Sequence, residues 1–155
     1  MEQQLNNISN YSMMKTERIL TPDLLNDILS EFTWGVPFSI VDDFPDPIIV
    51  NFPRCTLFFS EDTYDNHEIN LRFDYSQTET EYNLTLFDAL HYVFIPEAKR
   101  NINFTEPILY MYVEGDKVEN VKVSVRNICI LLKTYLTDCI NGDFSWVDRY
   151  KLAVQ

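Results

Sequence analysis

The chain has 155 residues and a formal net charge of −12, and 46% of its residues are apolar and 14% aromatic. This content of bulky apolar residues excludes an intrinsically disordered chain, because it allows enough burial to offset chain entropy. The length fits a single domain. The negative charge repels nucleic acid and anionic membranes, so we expect neither as a partner.

The N-terminal region does not have the pattern of a targeting signal. Residues 1–15 are polar and rich in Asn and Gln, which predicts a loosely ordered lead-in. Residues 1–12 contain neither a cation nor the apolar core of a signal peptide. No apolar run approaches the roughly 20 residues that cross a bilayer. Cys55, Cys129 and Cys139 are widely spaced in apolar sequence, as is typical of buried thiols in a reducing compartment. We therefore predict a cytoplasmic protein.

The first predicted elements are one helix and four strands. Thr21 suits a helix N-cap and Pro22 the first helical position, and the apolar spacing continues this helix towards Trp34. Short apolar runs then predict strands; they cover residues 38–41, 48–52, 56–60 and 68–75. The last run alternates strictly between apolar and polar side chains, which indicates a sheet with one buried face.

The C-terminal half mixes helices with a predicted hairpin. Thr85 and Asp88 resemble a capping box, which predicts a short helix ending at Val93 or Phe94. The next elements are a hairpin of residues 108–114 and 118–123, a helix from Ser124 to about Gly142, and a final helix over 146–153 capped by Ser145.

This order of elements predicts the fold class. Strands cluster without regular alternation with helices, which favours an α+β fold. We expect residues 1–155 to form one domain, in which an antiparallel sheet of about four to six strands carries helices on one face.

The titratable residues do not form a recognisable catalytic or metal-binding motif. His67 is expected to be a solvated loop residue, with a His–carboxylate base as the alternative, and His91 a partly buried helix residue. Nucleophile elbows, phosphate loops and zinc spacings are missing, and the acidic clusters lack EF-hand spacing. Cys–His–Asn chemistry finds no local support. We therefore expect no enzyme, no cofactor and no metal.

The segment from Asp42 to Asp88 is strongly acidic, with eleven carboxylates and two cations, Arg54 and Arg72. It is either a solvated surface or a surface that steers a basic protein towards the chain. Aromatic anchors among carboxylates are typical of tight protein contacts, although tyrosines here also fit a sheet core. The predicted contact surface consists of Glu61, Asp62, Tyr64, Asp65, Glu68, Glu79 and Glu81.

The chain resembles the immunity proteins of bacterial polymorphic-toxin and contact-dependent inhibition systems. The resemblance lies in its size, its acidity and its closing segment, residues 130–136 through 142–146. The resemblance implies a stoichiometric inhibitor that caps a toxin domain. The charge pattern then predicts that reversing Glu61, Asp62 and Asp65 slows association with a basic toxin. Two alternatives remain: an acidic nucleic-acid mimic of the phage anti-defence type, and a small enzyme with a pocket around His67 or His91.

Overall fold

The structure is a computed structural model that describes residues 18–45, 47–63, 67–75, 84–95 and 116–155. The predictions for the lead-in at 1–15 and for a strand at 108–114 lie outside these residues.

The four strands form one antiparallel sheet in the order β1-β2-β3-β4. Their bounds are Ser39–Asp42 for β1, Ile48–Phe52 for β2, Cys55–Asp62 for β3 and Glu68–Phe73 for β4. The predicted strands are thereby confirmed. Strand β3 is longer than predicted because Glu61 and Asp62 continue the ladder, opposite Ile69 and Glu68 of β4.

The helices are α1 (Pro22–Leu29), α2 (Leu86–Ala89), α3 (Lys117–Tyr135), α4 (Thr137–Ile140) and α5 (Trp146–Ala153). A π-helical segment, Leu90–Phe94, continues directly from α2. None of the described helices combines the length and the hydropathy that a membrane crossing requires.

Threonine side chains cap the start of two of these helices. The Thr21 hydroxyl accepts a hydrogen bond from the Leu24 N–H at 3.1 Å, and the Thr85 hydroxyl accepts one from the Asp88 N–H at 3.1 Å. The Thr85 hydroxyl also donates to the Asp88 carboxylate at 2.9 Å, so the predicted pairing of these two residues is confirmed. Helix α5 begins as predicted, but the Ser145 side chain makes no cap hydrogen bond to the described residues.

The predicted strand at 118–123 is wrong, because these residues belong to α3. Asp116 caps the helix by accepting a hydrogen bond from the Glu119 N–H at 3.0 Å. Val121, Val125 and Ile128 recur at helical spacing and are fully buried, whereas Val118 is 48% exposed. The alternation of Val121, Val123 and Val125 with polar residues mimics a strand, but the longer helical period decides the structure.

One face of the sheet builds the core. The inward side chains of β2, β3 and β4 are all buried; they are Ile48, Val50, Phe52, Cys55, Leu57, Phe59, Ile69, Leu71 and Phe73. Helices α1, α2 and α3 supply the opposing apolar surface. The α+β domain with helices over an antiparallel sheet is therefore confirmed, and the opposite face of the sheet, here called the outer face, points away from this core.

The turn after α4 gives a first testable prediction. Gly142 has φ +97°, and a Cβ added there would lie 2.8 Å from the Arg54 Cβ. We expect Gly142→Ala to lower the free energy of unfolding by about 2 kcal/mol, because it combines a left-handed backbone with a steric clash. Urea unfolding measures the change.

Gly35→Ala is the matched control, since Gly35 has φ +78° with no atom within 4 Å of an added Cβ. It carries only the backbone cost, so its effect should be the smaller. Equal effects of the two substitutions would show that the contact with Arg54 adds nothing.

Candidate protein-binding face

The centre of the outer face is an apolar row that crosses all four strands. In the strand register Val41 lies beside Ile49, Ile49 beside Phe58, and Phe58 beside Arg72. Val41 is 49% exposed, and Ile49 and Phe58 are half-buried. The Arg72 guanidinium lies 4.6 Å from the centroid of the Phe58 ring, in a cation–π contact. The row therefore presents apolar surface that ends in an arginine.

Carboxylates border this row. Asp62 and Glu68 are direct cross-strand partners on the outer face, where two like charges oppose each other. Asp74 is exposed at the other end of β4, and its N–H donates to the Thr56 carbonyl at 3.0 Å. Asp43 is exposed directly after β1. We call these four residues the acidic rim.

Glu61 does not belong to this rim, because its side chain points to the core side of the sheet. Its carboxylate accepts hydrogen bonds from the N–H groups of Ile19 at 2.9 Å and Leu20 at 2.8 Å. It also bonds to the His67 Nδ1. The Glu61 side chain is only 1% exposed, so the accessible surface of this residue belongs to its backbone. This placement removes Glu61 from the carboxylates that a partner could reach.

The prediction of a solvated His67 is wrong. The residue is 9% exposed and has a left-handed backbone with φ 56°. Its burial is tolerated because the Glu61 carboxylate supplies a hydrogen-bond partner for the ring. The alternation of β3 contained this signal, since Glu61 follows Leu57 and Phe59 in phase on the buried face.

A second ion pair fixes the segment before α1 to β1. The Arg18 guanidinium donates two hydrogen bonds to the Asp42 carboxylate, at 2.9 and 2.8 Å. This pairing lowers the pKa of Asp42 and raises the pKa of Arg18. Arg18 also lies 4.9 Å from the Phe44 ring centroid. Asp42 is therefore neutralised locally and adds little to the acidic rim.

The predicted contact residues thus separate into three groups. Asp62 and Glu68 are brought together on the outer face, and Glu61 is buried on the other side. Outside the described residues lie Tyr64, Asp65, Glu79 and Glu81.

The three cysteines and His91 pack against other side chains of the fold. All three cysteines are buried as predicted. Burial raises the pKa of Cys129 to about 12. The pKa of Cys55 is also raised, by its hydrogen bond to Cys139 and by burial. A neutral, enclosed thiol is a poor nucleophile. His91 is half-buried in the π-helical segment, as expected, and its ring stacks on Phe87 at 5.4 Å.

Among the cavities lined by described residues, one of about 520 Å³ lies against β4 and α2. Another, of about 40 Å³, lies between Phe94, the end of α3, α4 and α5. Neither is lined by His67 or His91. Within the described ranges, no three His, Cys, Asp or Glu side chains converge as metal ligands would.

Charge is unevenly distributed between the two parts of the fold. The described residues between 18 and 75 carry nine carboxylates and three cations, whereas residues 116–155 carry five carboxylates and six cations. Among the described residues, the excess of carboxylates therefore lies in the sheet and α1, and the C-terminal helices are nearly balanced. No protein-family model, no curated protein and no solved structure matches this chain.

Proposed function

We propose that this chain is a non-catalytic binding protein that neutralises a basic protein, in the manner of an immunity protein that caps a bacterial toxin in the cytoplasm. The contact surface is the outer face of the sheet. The observation that carries the proposal is the combination of an exposed apolar row with the acidic rim on a face that is not part of the core.

This combination has the anatomy of a protein contact. Aromatic and arginine side chains dominate the binding energy of interfaces, and Phe58 and Arg72 occupy the row. Charges around such a centre govern the rate and orientation of approach. A basic toxin surface complements Asp43, Asp62, Glu68 and Asp74, and an apolar residue at its centre would cover Phe58.

The placement of the carboxylates favours this function over a nucleic-acid mimic. A mimic requires carboxylates in a ridge with the spacing of phosphates. Here Glu61 is buried, Asp42 is paired with Arg18, and Asp88 bonds to the Thr85 hydroxyl. The remaining acids of the sheet flank an apolar row, which serves a protein partner better than a mimic.

The buried Glu61–His67 pair is the observation that an enzyme hypothesis could use. A general base must lie within hydrogen-bond reach of a substrate proton. Both side chains are almost inaccessible, and the carboxylate already accepts two backbone N–H bonds. The pair therefore fits a structural role better than a catalytic one.

The proposal is tested with the protein encoded by the adjacent reading frame. We expect that protein to arrest growth when produced alone in a bacterial host and to be harmless when this chain is co-produced. The purified proteins should form a complex of equal stoichiometry in size-exclusion chromatography with light scattering. Arrest that persists despite a soluble, folded chain would contradict the proposal.

Charge reversal on the rim tests which face is used. We expect the double variant Asp62→Lys with Glu68→Lys to associate at least tenfold more slowly with this basic partner at low salt, because electrostatic steering changes association rates by roughly 10 to 10³. Stopped-flow mixing at low and high salt measures the rate, and high salt should reduce the difference.

The matched control is Asp23→Lys with Asp27→Lys, which makes the same change in net charge at two exposed positions of α1. If both double variants slow association equally, net charge rather than the outer face governs the approach.

A further inference from the structure

The two edges of the sheet differ in their protection. Strand β1 has four residues and lies between Pro37 and Pro45, and prolines prevent further strand pairing because they lack an N–H. Strand β4 has six residues and contains no proline. The edge formed by β4 is therefore the one that another strand could join.

Backbone hydrogen bonds show which groups of β4 face this edge. The Phe73 N–H donates to the Leu84 carbonyl at 2.8 Å on the edge side, and the Asp74 N–H donates to the Thr56 carbonyl on the β3 side. Alternate residues of an antiparallel strand direct their groups to the same side, so Ile69 and Leu71 face the edge as Phe73 does. Among the described residues, neither of these two N–H groups has an acceptor.

A groove runs along this part of the edge, which the described residues leave uncovered. It is the cavity of about 520 Å³, which falls in the size range of binding sites in proteins. Leu86 and Ile128 give it an apolar floor, and Phe87, which is 38% exposed, forms one wall. Glu68 lies at one end of the groove and Arg72 at the other.

We propose that the edge of β4 from Glu68 to Leu71 accepts an extended, basic segment of the protein partner as an additional strand. This inference rests on the proposed function and specifies how that partner binds. Ile69 would exchange main-chain hydrogen bonds with the added strand, as in other cases of strand addition. Leu71 would contribute its N–H alone, because the antiparallel bridge between Arg72 and Thr85 directs the Leu71 carbonyl to Leu86.

Side-chain periodicity defines the segment that fits. Every second side chain of the added strand would point to the floor at Leu86 and Ile128, which favours valine or isoleucine. The intervening side chains would emerge on the outer face beside Glu68 and Asn70 of β4, with Asp62 one strand further away. Lysine or arginine suits these positions, because opposite charges in neighbouring strands stabilise a sheet.

Amide hydrogen exchange by NMR tests the state of the edge in the protein alone. We expect the Ile69 and Leu71 amides to exchange at least about tenfold faster than the Asn70 and Arg72 amides, which face β3. The Phe73 amide, bonded to Leu84, is the internal control for a covered edge position. Equal protection of all five amides would overturn the inference, because the edge would already be covered.

A capped peptide of alternating lysine and valine, three of each, is the probe for strand addition. At saturation it should slow the exchange of the Ile69 and Leu71 amides by about tenfold or more. The same peptide with N-methylated valines lacks the amide protons that would bond to β4, and a peptide with glutamate in place of lysine has the wrong charge. Both should leave the two amides unchanged. Equal effects of all three peptides, or no effect of the first, would overturn strand addition.

The outcomes distinguish a failure of strand addition at β4 from a failure of the proposed inhibitor function. If the exchange experiments fail while rim reversal still slows association, strand addition is wrong and the outer face remains the contact. If the lysine peptide binds at β4 while no basic protein is inhibited, the edge is a binding site and the inhibitor function is wrong.

Discussion

The Glu61→Ala variant is expected to unfold with a free energy about 3 kcal/mol lower than that of the unaltered chain. The substitution removes one carboxylate that accepts from the Ile19 and Leu20 N–H groups and bonds to His67. Removing one member of a buried hydrogen-bonded pair costs about 3–5 kcal/mol, because its partners remain buried without an acceptor. Urea unfolding followed by circular dichroism measures the loss.

Two controls separate this network from a general effect of mutation. Glu61→Gln keeps an oxygen acceptor, so its free energy of unfolding should fall by only about half as much as that of Glu61→Ala. Asp62→Ala alters the next residue of β3 on the outer face and should change stability by less than about 1 kcal/mol. A Glu61→Ala variant no less stable than Asp62→Ala would show that the buried network does not hold the segment before α1.

The Trp146→Ala variant is expected to lose about 3–5 kcal/mol of stability. Trp146 is 2% exposed and its ring lies edge-on to Phe73 of β4 at 5.6 Å. Its Nε1–H donates to the Cys139 Sγ at 3.4 Å, so one side chain joins β4, α4 and α5. Thermal and urea unfolding of the variant, followed by far-UV circular dichroism, measure the loss.

The variants Trp146→Phe and Leu152→Ala complete the comparison. Phenylalanine keeps the contact with Phe73 and loses the bond to Cys139, so its effect should be intermediate. Leu152 belongs to the same helix but is 71% exposed, and its truncation should be nearly neutral. If Leu152→Ala were as damaging as Trp146→Ala, helix formation rather than core packing would explain the loss.

The sheet and its caps were predictable because their signals are local. Alternation over β4 reports one buried face, and Thr21 and Thr85 mark helix starts through bonds to residues only three positions away. The start of the final helix at Trp146 was predictable in the same way, whereas the contact of Trp146 with Phe73 joins residues far apart in sequence.

The start of α3 and the position of Glu61 depend on longer patterns. Val121, Val123 and Val125 alternate with polar residues as in a strand, and only the continuation to Ile128 shows the helical period. Glu61 was assigned to the surface by its charge, since a buried carboxylate needs donors that are distant in sequence, here Ile19 and Leu20. Charge alone predicted the outer-face acids Asp62 and Glu68 but could not separate them from Glu61.

The uneven division of charge between the sheet and the C-terminal helices has a consequence at long range. Within the described ranges, the part with nine carboxylates and three cations is joined to a part with a slight excess of cations. Such an arrangement is a permanent electric dipole, and a cationic body exerts a torque on it before any surfaces meet. This contribution of the described residues would turn the sheet and α1 towards a positive partner during diffusion, so that fewer collisions involve the C-terminal helices.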